Sequence, residues 1–143
     1  MAQQPQRLQR LQRVADYLTA VPAWFLATST DDEPHVRPFS FAVAEEGRLW
    51  FSTSRGKDVY LELTANPRFE LSAWKPGHPW LVVRGKAVFA EPSAALRQAG
   101  FEHMAGIGEA HSSADDGLLV FFSVDEGIAR ICDIDGTEER FEL

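Results

Sequence analysis

Residues Pro34-His-Val-Arg-Pro-Phe-Ser-Phe-Ala-Val43, followed by Leu49-Trp-Phe-Ser-Thr-Ser-Arg-Gly-Lys-Asp-Val-Tyr60, decide the fold. The two runs read as a β-hairpin that passes into a short helix. Successive side chains on a strand point to opposite faces. Val36, Pro38, Ser40 and Ala42 therefore share one face, and Arg37, Phe39, Phe41 and Val43 share the other. The second face is apolar apart from Arg37, and burying a charge unpaired is expensive. Arg37 thus needs a partner: either an anionic ligand, or a carboxylate such as Glu33 at the strand end. Pro38 has no backbone donor, which confines it to an edge, a strand start or a bulge. Backbone groups beside such an irregularity can be left to a ligand.

Downstream, Trp50-Phe-Ser-Thr-Ser54 reads as a strand and Asp58–Ala65 as a helix closed by the stop signal Asn66-Pro67. Gly56-Lys57 then falls at the helix N-terminus, where free N–H groups and the macrodipole favour an anion. Ser52, Thr53 and Ser54 can donate hydrogen bonds to it, and Arg55 or Lys57 can supply charge. The alternative is that Ser54 or Asp58 merely caps the helix and Lys57 is solvated. Arg37 and Lys57 arriving from adjacent elements make a phosphate cradle a serious competitor to the cap.

Bulk properties bound the rest. A chain of 143 residues suits one domain, 1–143, with its own core. Its 45% hydrophobic and 24% charged content is that of a soluble globular protein. The net charge of −7 counts against non-specific binding to nucleic acid or to anionic membranes. No apolar run approaches the roughly 18 residues of a membrane span, and the Gln- and Arg-rich N-terminus lacks a signal peptide's apolar core. A single cysteine, Cys132, cannot form an internal disulfide, so a cytoplasmic location is expected. It has no CxxC partner and reads as a small core residue.

Helical spacing of Leu8, Leu11, Val14, Ala15 and Leu18 predicts an N-terminal helix ending before Pro22. Strands are expected at 24–30, 35–43 and 48–53, then a short helix at 57–65, then strands at 69–75 and 80–90. Pro92 opens a second covering helix running to Met104. The stretch 105–117 is turn-rich. Strands at 118–125, 128–133 and 138–142 finish the chain. Many antiparallel strands with short connections and few helices predict a mainly β (α+β) fold, a small Greek-key barrel.

Other candidates carry less. His35, His78, His103 and His111 show no zinc-like spacing, so no metal site is expected. Ser112-Ser113 lacks a nucleophile-elbow pattern, and Asp31-Asp32-Glu33 and Asp115-Asp116 read as solvated turns. Met104 reads as core. By alternation Trp74 shares a face with Glu70 and Ser72, away from Phe69, Leu71 and Ala73. A tryptophan on a polar face either marks an interface or packs under the 75–79 loop.

The order of elements and the motifs Leu26-Ala-Thr28, His35-Val-Arg-Pro-Phe39, Phe51-Ser-Thr-Ser54 with Lys57, Ala65-Asn-Pro67 and Arg84-Gly-Lys-Ala-Val88 together resemble the FMN-binding split-barrel family. Its best-known member is pyridoxamine 5′-phosphate oxidase, and the resemblance is to the short general-stress-like and nitroimidazole-resistance-like branch. It implies an antiparallel split β-barrel that binds FMN in clefts between the subunits of a homodimer. The FMN phosphate would lie against Arg37, Ser52, Thr53 and Lys57, with Ser54 nearby. The isoalloxazine would lie along the Arg37-Pro38-Phe39-Ser40 strand, and the other subunit would close the site through Trp74 and the region from Trp80 to Arg84.

On that resemblance the chemistry belongs mostly to the cofactor, and no residue stands out as a general acid. The expected activity is transfer of electrons from a reduced nicotinamide or similar donor to a small acceptor. The alternatives are a flavin-binding store or redox sensor without turnover, and a flavin-free barrel that binds another ligand such as haem or a partner protein. The chain reads Glu139-Arg-Phe-Glu-Leu143 where true pyridoxamine phosphate oxidases carry an Arg-x-His substrate pattern, which points away from that substrate. A deazaflavin's acidic tail needs basic contacts, and this acidic chain offers few.

Overall fold

The computed structural model describes residues 3–108 and 113–143, so His111 and Ser112 lie outside the described residues. The described elements are α1 (Gln3–Thr19), β1 (Trp24–Thr30), β2 (Glu33–Phe39), β3 (Ala42–Glu45), β4 (Arg48–Ser54) and α2 (Asp58–Ala65). They continue with β5 (Arg68–Ala73), β6 (Trp80–Phe89), α3 (Ala94–Gly106), β7 (Leu119–Cys132) and β8 (Glu138–Glu142).

Neighbouring strands are antiparallel along the path β2-β1-β5-β6-β7-β4-β3, and β8 pairs with β7. The two ends of the path, β2 and β3, are joined in sequence by only Ser40 and Phe41. Three Cα steps from Phe39 to Ala42 reach at most about 11 Å. The edges of the sheet must therefore return to one another, and the sheet curls into a barrel left unpaired along one seam. This is an antiparallel split β-barrel, mainly β, with an N-terminal helix and two covering helices, as the sequence predicts.

Both hairpins beside the seam turn on two residues with positive φ. Asp31 (53°) and Asp32 (63°) join β1 to β2, and Glu46 (54°) and Gly47 (72°) join β3 to β4. Mirror-image turns of this kind match the twist of the strands they connect. Pro34 and Pro38 sit on β2, an edge strand, where a missing donor costs no ladder bond.

Two boundaries differ from expectation. The strand expected over 35–43 breaks at Ser40, because the chain leaves β1 there and crosses the seam to pair with β4. The strands expected over 118–125 and 128–133 are one strand, β7. Glu126 takes a positive φ of 52°, and the register with β6 shifts between Arg84 and Lys86. The bulge holds because Gly85 has no Cβ: one would lie 2.8 Å from Val124 Cγ1 and 3.0 Å from the Asp125 carbonyl oxygen. β6 therefore stays paired with β7 on both sides of Glu126-Gly127, and the expected gap at 126–127 is a kink in place of a break.

Two cores result. Inside the barrel, Trp24 stacks on Phe39 at 5.2 Å and tilts against Phe51 at 4.7 Å, with Phe122 5.4 Å from Phe51. α1 closes this interior with Leu11, Val14, Ala15 and Leu18, whereas Leu8 remains exposed. The second core lies under α3, where Leu96 and Met104 pack with Phe41, Trp50, Leu119 and Phe121. This is why β4 is buried on both faces from Leu49 to Thr53. Cys132 is buried and unpaired, and no described helix is long and apolar enough to cross a membrane.

α3 begins with Ser93 as its N-cap, whose Oγ accepts from the Leu96 amide at 3.1 Å and donates to Glu45 at 2.8 Å. Its close approach depends on Gly100, where a Cβ would fall 2.5 Å from Phe121 Cζ. Gly100→Ala gains about 1 kcal/mol of helix propensity but overpacks a core at a cost of roughly 1–3 kcal/mol. Phe121 is 1% exposed and cannot swing away. The expected net result is a lower melting temperature, read by thermal unfolding.

Candidate functional site

The seam carries a cavity of about 300 Å³. Seven of the ten residues singled out from sequence line it: Arg37, Pro38, Phe39, Ser40, Ser52, Thr53 and Lys57. The barrel topology brings them together. Arg37 to Phe39 arrive on the last residues of β2, Ser40 lies in the link, and Ser52 and Thr53 lie near the end of β4, two strands from β2 across the seam. Lys57 leads into α2, which packs on both β1 and β4 and so spans the same seam.

Two features of this cavity favour an anion with hydrogen-bond acceptors. Ser52 is 3% exposed, and its buried Oγ finds no hydrogen-bond partner among the described residues. Buried hydroxyls without partners are rare and call for an explanation. Among the described residues no side chain caps the N-terminus of α2: its N-cap residue is Lys57, in extended conformation, and neither Ser54 nor Asp58 performs that role. The first amides of a helix are donors without intrahelical partners. Ser40 and Phe41, moreover, belong to neither the β1–β2 nor the β3–β4 ladder, so their backbone groups are not committed to the sheet.

Arg37 reaches the cavity wall already paired. It faces inward opposite Leu26, as alternation predicts, but its partner is Glu62 of α2 and not Glu33. One terminal nitrogen donates to Glu62; the other donates to the Leu26 carbonyl at 3.1 Å and to Thr28 Oγ1 at 3.0 Å. Thr28 in turn donates to Glu62 at 2.6 Å. Burial works to raise the Glu62 pKa, but the Thr28 hydroxyl, Arg37 and His35 outweigh it and hold the carboxyl below its ordinary range. Arg37 thus lines the cavity and is neutralised by a carboxylate, that of Glu62 in place of the expected Glu33.

The remaining candidates lie elsewhere within the protomer. Ser54 Oγ accepts from the Gly56 amide at 3.4 Å in the turn before α2, off the cavity wall. Arg55 lies over the Tyr60 ring at 5.5 Å and donates to its hydroxyl at 3.0 Å. Trp74 projects from the outer face of the sheet, 60% exposed, with Nε1 donating across the 75–79 loop to the His78 carbonyl at 3.1 Å. Arg84 lines a separate, open concavity on that outer face, with Ala27, Glu70 and Ile128.

Sequence reading missed Glu62 and the contribution of α3. Met104, expected as plain core, and Ile107 close one side of the cavity. One turn of the same helix brings His103 Nε2 to 2.8 Å from Ser40 Oγ. Nothing in local sequence pairs residues this far apart; only the packing of α3 over the seam does so.

Comparison with known proteins agrees with the topology. The family model described as pyridoxamine 5′-phosphate oxidase matches residues 11–126. A NimC/NimA family protein from Clostridium acetobutylicum is 24% identical, with 99% of this chain and 98% of its own covered and a TM-score of 0.85. General stress protein 26 from Bacillus anthracis is 17% identical over 93% of this chain and 99% of its own, TM-score 0.68. A heme binding protein from Mycobacterium smegmatis is 16% identical over 95% of this chain and 57% of its own, TM-score 0.63. At these identities the likeness is one of fold. No curated protein matches the sequence. The match over residues 11–126, on a split-barrel fold, makes this chain a member of the pyridoxamine 5′-phosphate oxidase family.

Proposed function

We propose that the protein binds FMN in the seam cavity and acts as an oxidoreductase, passing electrons from a reduced nicotinamide or similar donor to a small acceptor in the cytoplasm. The observation that carries the reading is the buried Ser52 hydroxyl, without a partner among the described residues, in the same cavity as Lys57 at the N-terminus of α2. A phosphate monoester supplies several acceptors and negative charge to such a donor set. Bound FMN would supply reversible electron transfer. The chain's own part is to hold and shield it: Ser52, Thr53 and Lys57 take the phosphate end, and Pro38, Phe39 and Ser40 offer a wall for the ring.

Haem is the second reading, because the same fold occurs in a heme binding protein and the buried thioether of Met104 lines the cavity. The described lining otherwise offers a lysine and hydroxyls in place of the histidine, cysteine or tyrosine that commonly hold haem iron. We therefore favour FMN.

The reading extends to a homodimer. Phe25, Val36 and Trp74 are 52%, 67% and 60% exposed. Phe25 and Val36 stand on the outer face beside a concavity of about 710 Å³. Such an apolar surface on a small protein is a natural interface, and the family resemblance implies that the partner's Trp74 and the partner's Arg84 help to close the first protomer's cavity.

The test is the visible absorbance spectrum of purified protein before and after addition of FMN or haemin. A flavin spectrum, with near one FMN retained per chain after desalting, is the expected result. A haem Soret band without flavin uptake would reverse the assignment, and uptake of neither would leave only the fold. Bleaching of bound flavin by NADH or NADPH separates an oxidoreductase from a passive flavin binder. Light scattering is expected to give twice the 16.0 kDa chain mass.

A further inference from the structure

We propose that His103 is a positioning residue for the seam cavity, fixing through Ser40 which hydrogen-bonding role the cavity wall presents to the polar edge of a planar heterocycle. The inference rests on the FMN reading and adds to it a residue and a role. Ser40 is one of the two residues that cross the seam, it belongs to no ladder, and it lines the cavity. Its hydroxyl would otherwise rotate freely, since a serine O–H has no preferred partner of its own. His103 Nε2, at 2.8 Å, removes that freedom.

The chemistry follows from the two ring nitrogens. Burial holds His103 below its ordinary pKa, so the neutral ring is favoured. A neutral imidazole carries one N–H and one bare nitrogen. If Nε2 carries the proton, it donates to Ser40 Oγ, and the serine O–H is directed at the cavity as a donor. If Nε2 is bare, Ser40 donates to it and presents only lone pairs to the cavity. A ring edge that carries both carbonyl acceptors and an N–H, as a flavin does, is bound differently by the two arrangements. The Phe41 ring, 5.4 Å from the imidazole, restrains its rotation, and the neighbouring Met104 forms cavity wall. His103 thus stands behind the wall and acts on a ligand only through Ser40.

The experiment is a double-mutant cycle on FMN affinity, measured by flavin fluorescence, with melting temperature of the FMN-free protein as the control for folding. Ser40→Ala and His103→Leu are each expected to weaken FMN about 3- to 10-fold, the worth of one net hydrogen bond. The double variant is expected to be no weaker than the weaker single variant. His103→Gln, whose amide can still donate to Ser40, should recover most of the affinity and keeps the test open if His103→Leu fails to fold. A merely structural tie would lower the melting temperature of His103→Leu while leaving FMN affinity intact. Additive losses in the double variant, or wild-type affinity in His103→Leu, would overturn the proposal. A wild-type protein that takes up no FMN would instead overturn the functional reading, a result distinct from any outcome of the cycle.

Discussion

Lys57→Ala is expected to weaken FMN binding about 10- to 100-fold, the range for loss of a hydrogen bond to a charged group. Lys57 sits at the N-cap of α2 and on the cavity wall, so its ammonium adds a full charge to the partial charge of the helix end. Ser52→Ala provides the internal control. Removing a buried hydroxyl that has no partner among the described residues relieves an unmet desolvation cost, so the FMN-free protein should melt at the same temperature or higher. With FMN the same substitution should weaken binding, though by less than Lys57→Ala, because a neutral donor is lost. The two measurements together, isothermal titration with FMN and thermal unfolding without it, separate a ligand site from a structural one. Unchanged affinity in both variants would move the phosphate elsewhere.

Glu62→Gln is expected to cost about 1–2 kcal/mol at neutral pH, because removing one member of a part-buried, hydrogen-bonded pair leaves the other charge with a poorer partner. The side chains of Arg37 and Glu62 are 20% and 13% exposed, so solvent screens part of the loss. The pH dependence gives the sharper test. The folded Glu62 carboxyl lies below its ordinary value, for burial is outweighed by Thr28, Arg37 and His35. A depressed carboxyl stabilises the fold fully above its unfolded pKa, about 4.3, and loses that contribution as pH falls through the folded value. The wild-type protein should therefore destabilise on acidification below this point more steeply than Glu62→Gln. Urea unfolding at a series of pH values measures the difference; parallel acid limbs would exclude the pair as a stabilising unit. Arg37→Leu with Glu62→Leu should recover much of what either single change loses, since an apolar replacement removes both desolvation costs.

The pair also separates two functions of Arg37. The guanidinium makes three contacts inside the protein and holds β2, β1 and α2 together at the point where the cavity forms. Weaker FMN binding in an Arg37 variant would therefore report a loosened seam as well as any lost contact with phosphate. Ser52, whose hydroxyl has no partner among the described residues, is the cleaner probe of the proposed anion site.

Much of the fold was legible because it is written in local periods. Alternation placed Phe69, Leu71 and Ala73 inside and Glu70, Ser72 and Trp74 outside; helical spacing buried Leu11, Val14, Ala15 and Leu18. Asn66-Pro67 ended α2 after Ala65 as expected, with Asn66 as the C-cap. Where local signals failed, a distant strand had overruled them. Glu126-Gly127 separates two expected strands, yet β6 pairs on both sides of it and makes it a bulge. Residues 35–43 look like one strand, yet their two halves pair with different neighbours.

The candidate site divides along the same line. Sequence alone determined which residue types could cradle a phosphate, because Ser52, Thr53 and Lys57 lie within one strand-to-helix turn and Arg37 to Ser40 within one strand end. Their chemistry and near spacing are local properties. Only the tertiary structure decided that these two segments share a cavity, that Glu62 neutralises Arg37, and that α3 brings Met104 and His103 to the wall. Those relations join residues 25 and 63 positions apart. They exist because a sheet whose two edges are tied by Ser40 and Phe41 must curl, and curling brings together side chains that no local period relates.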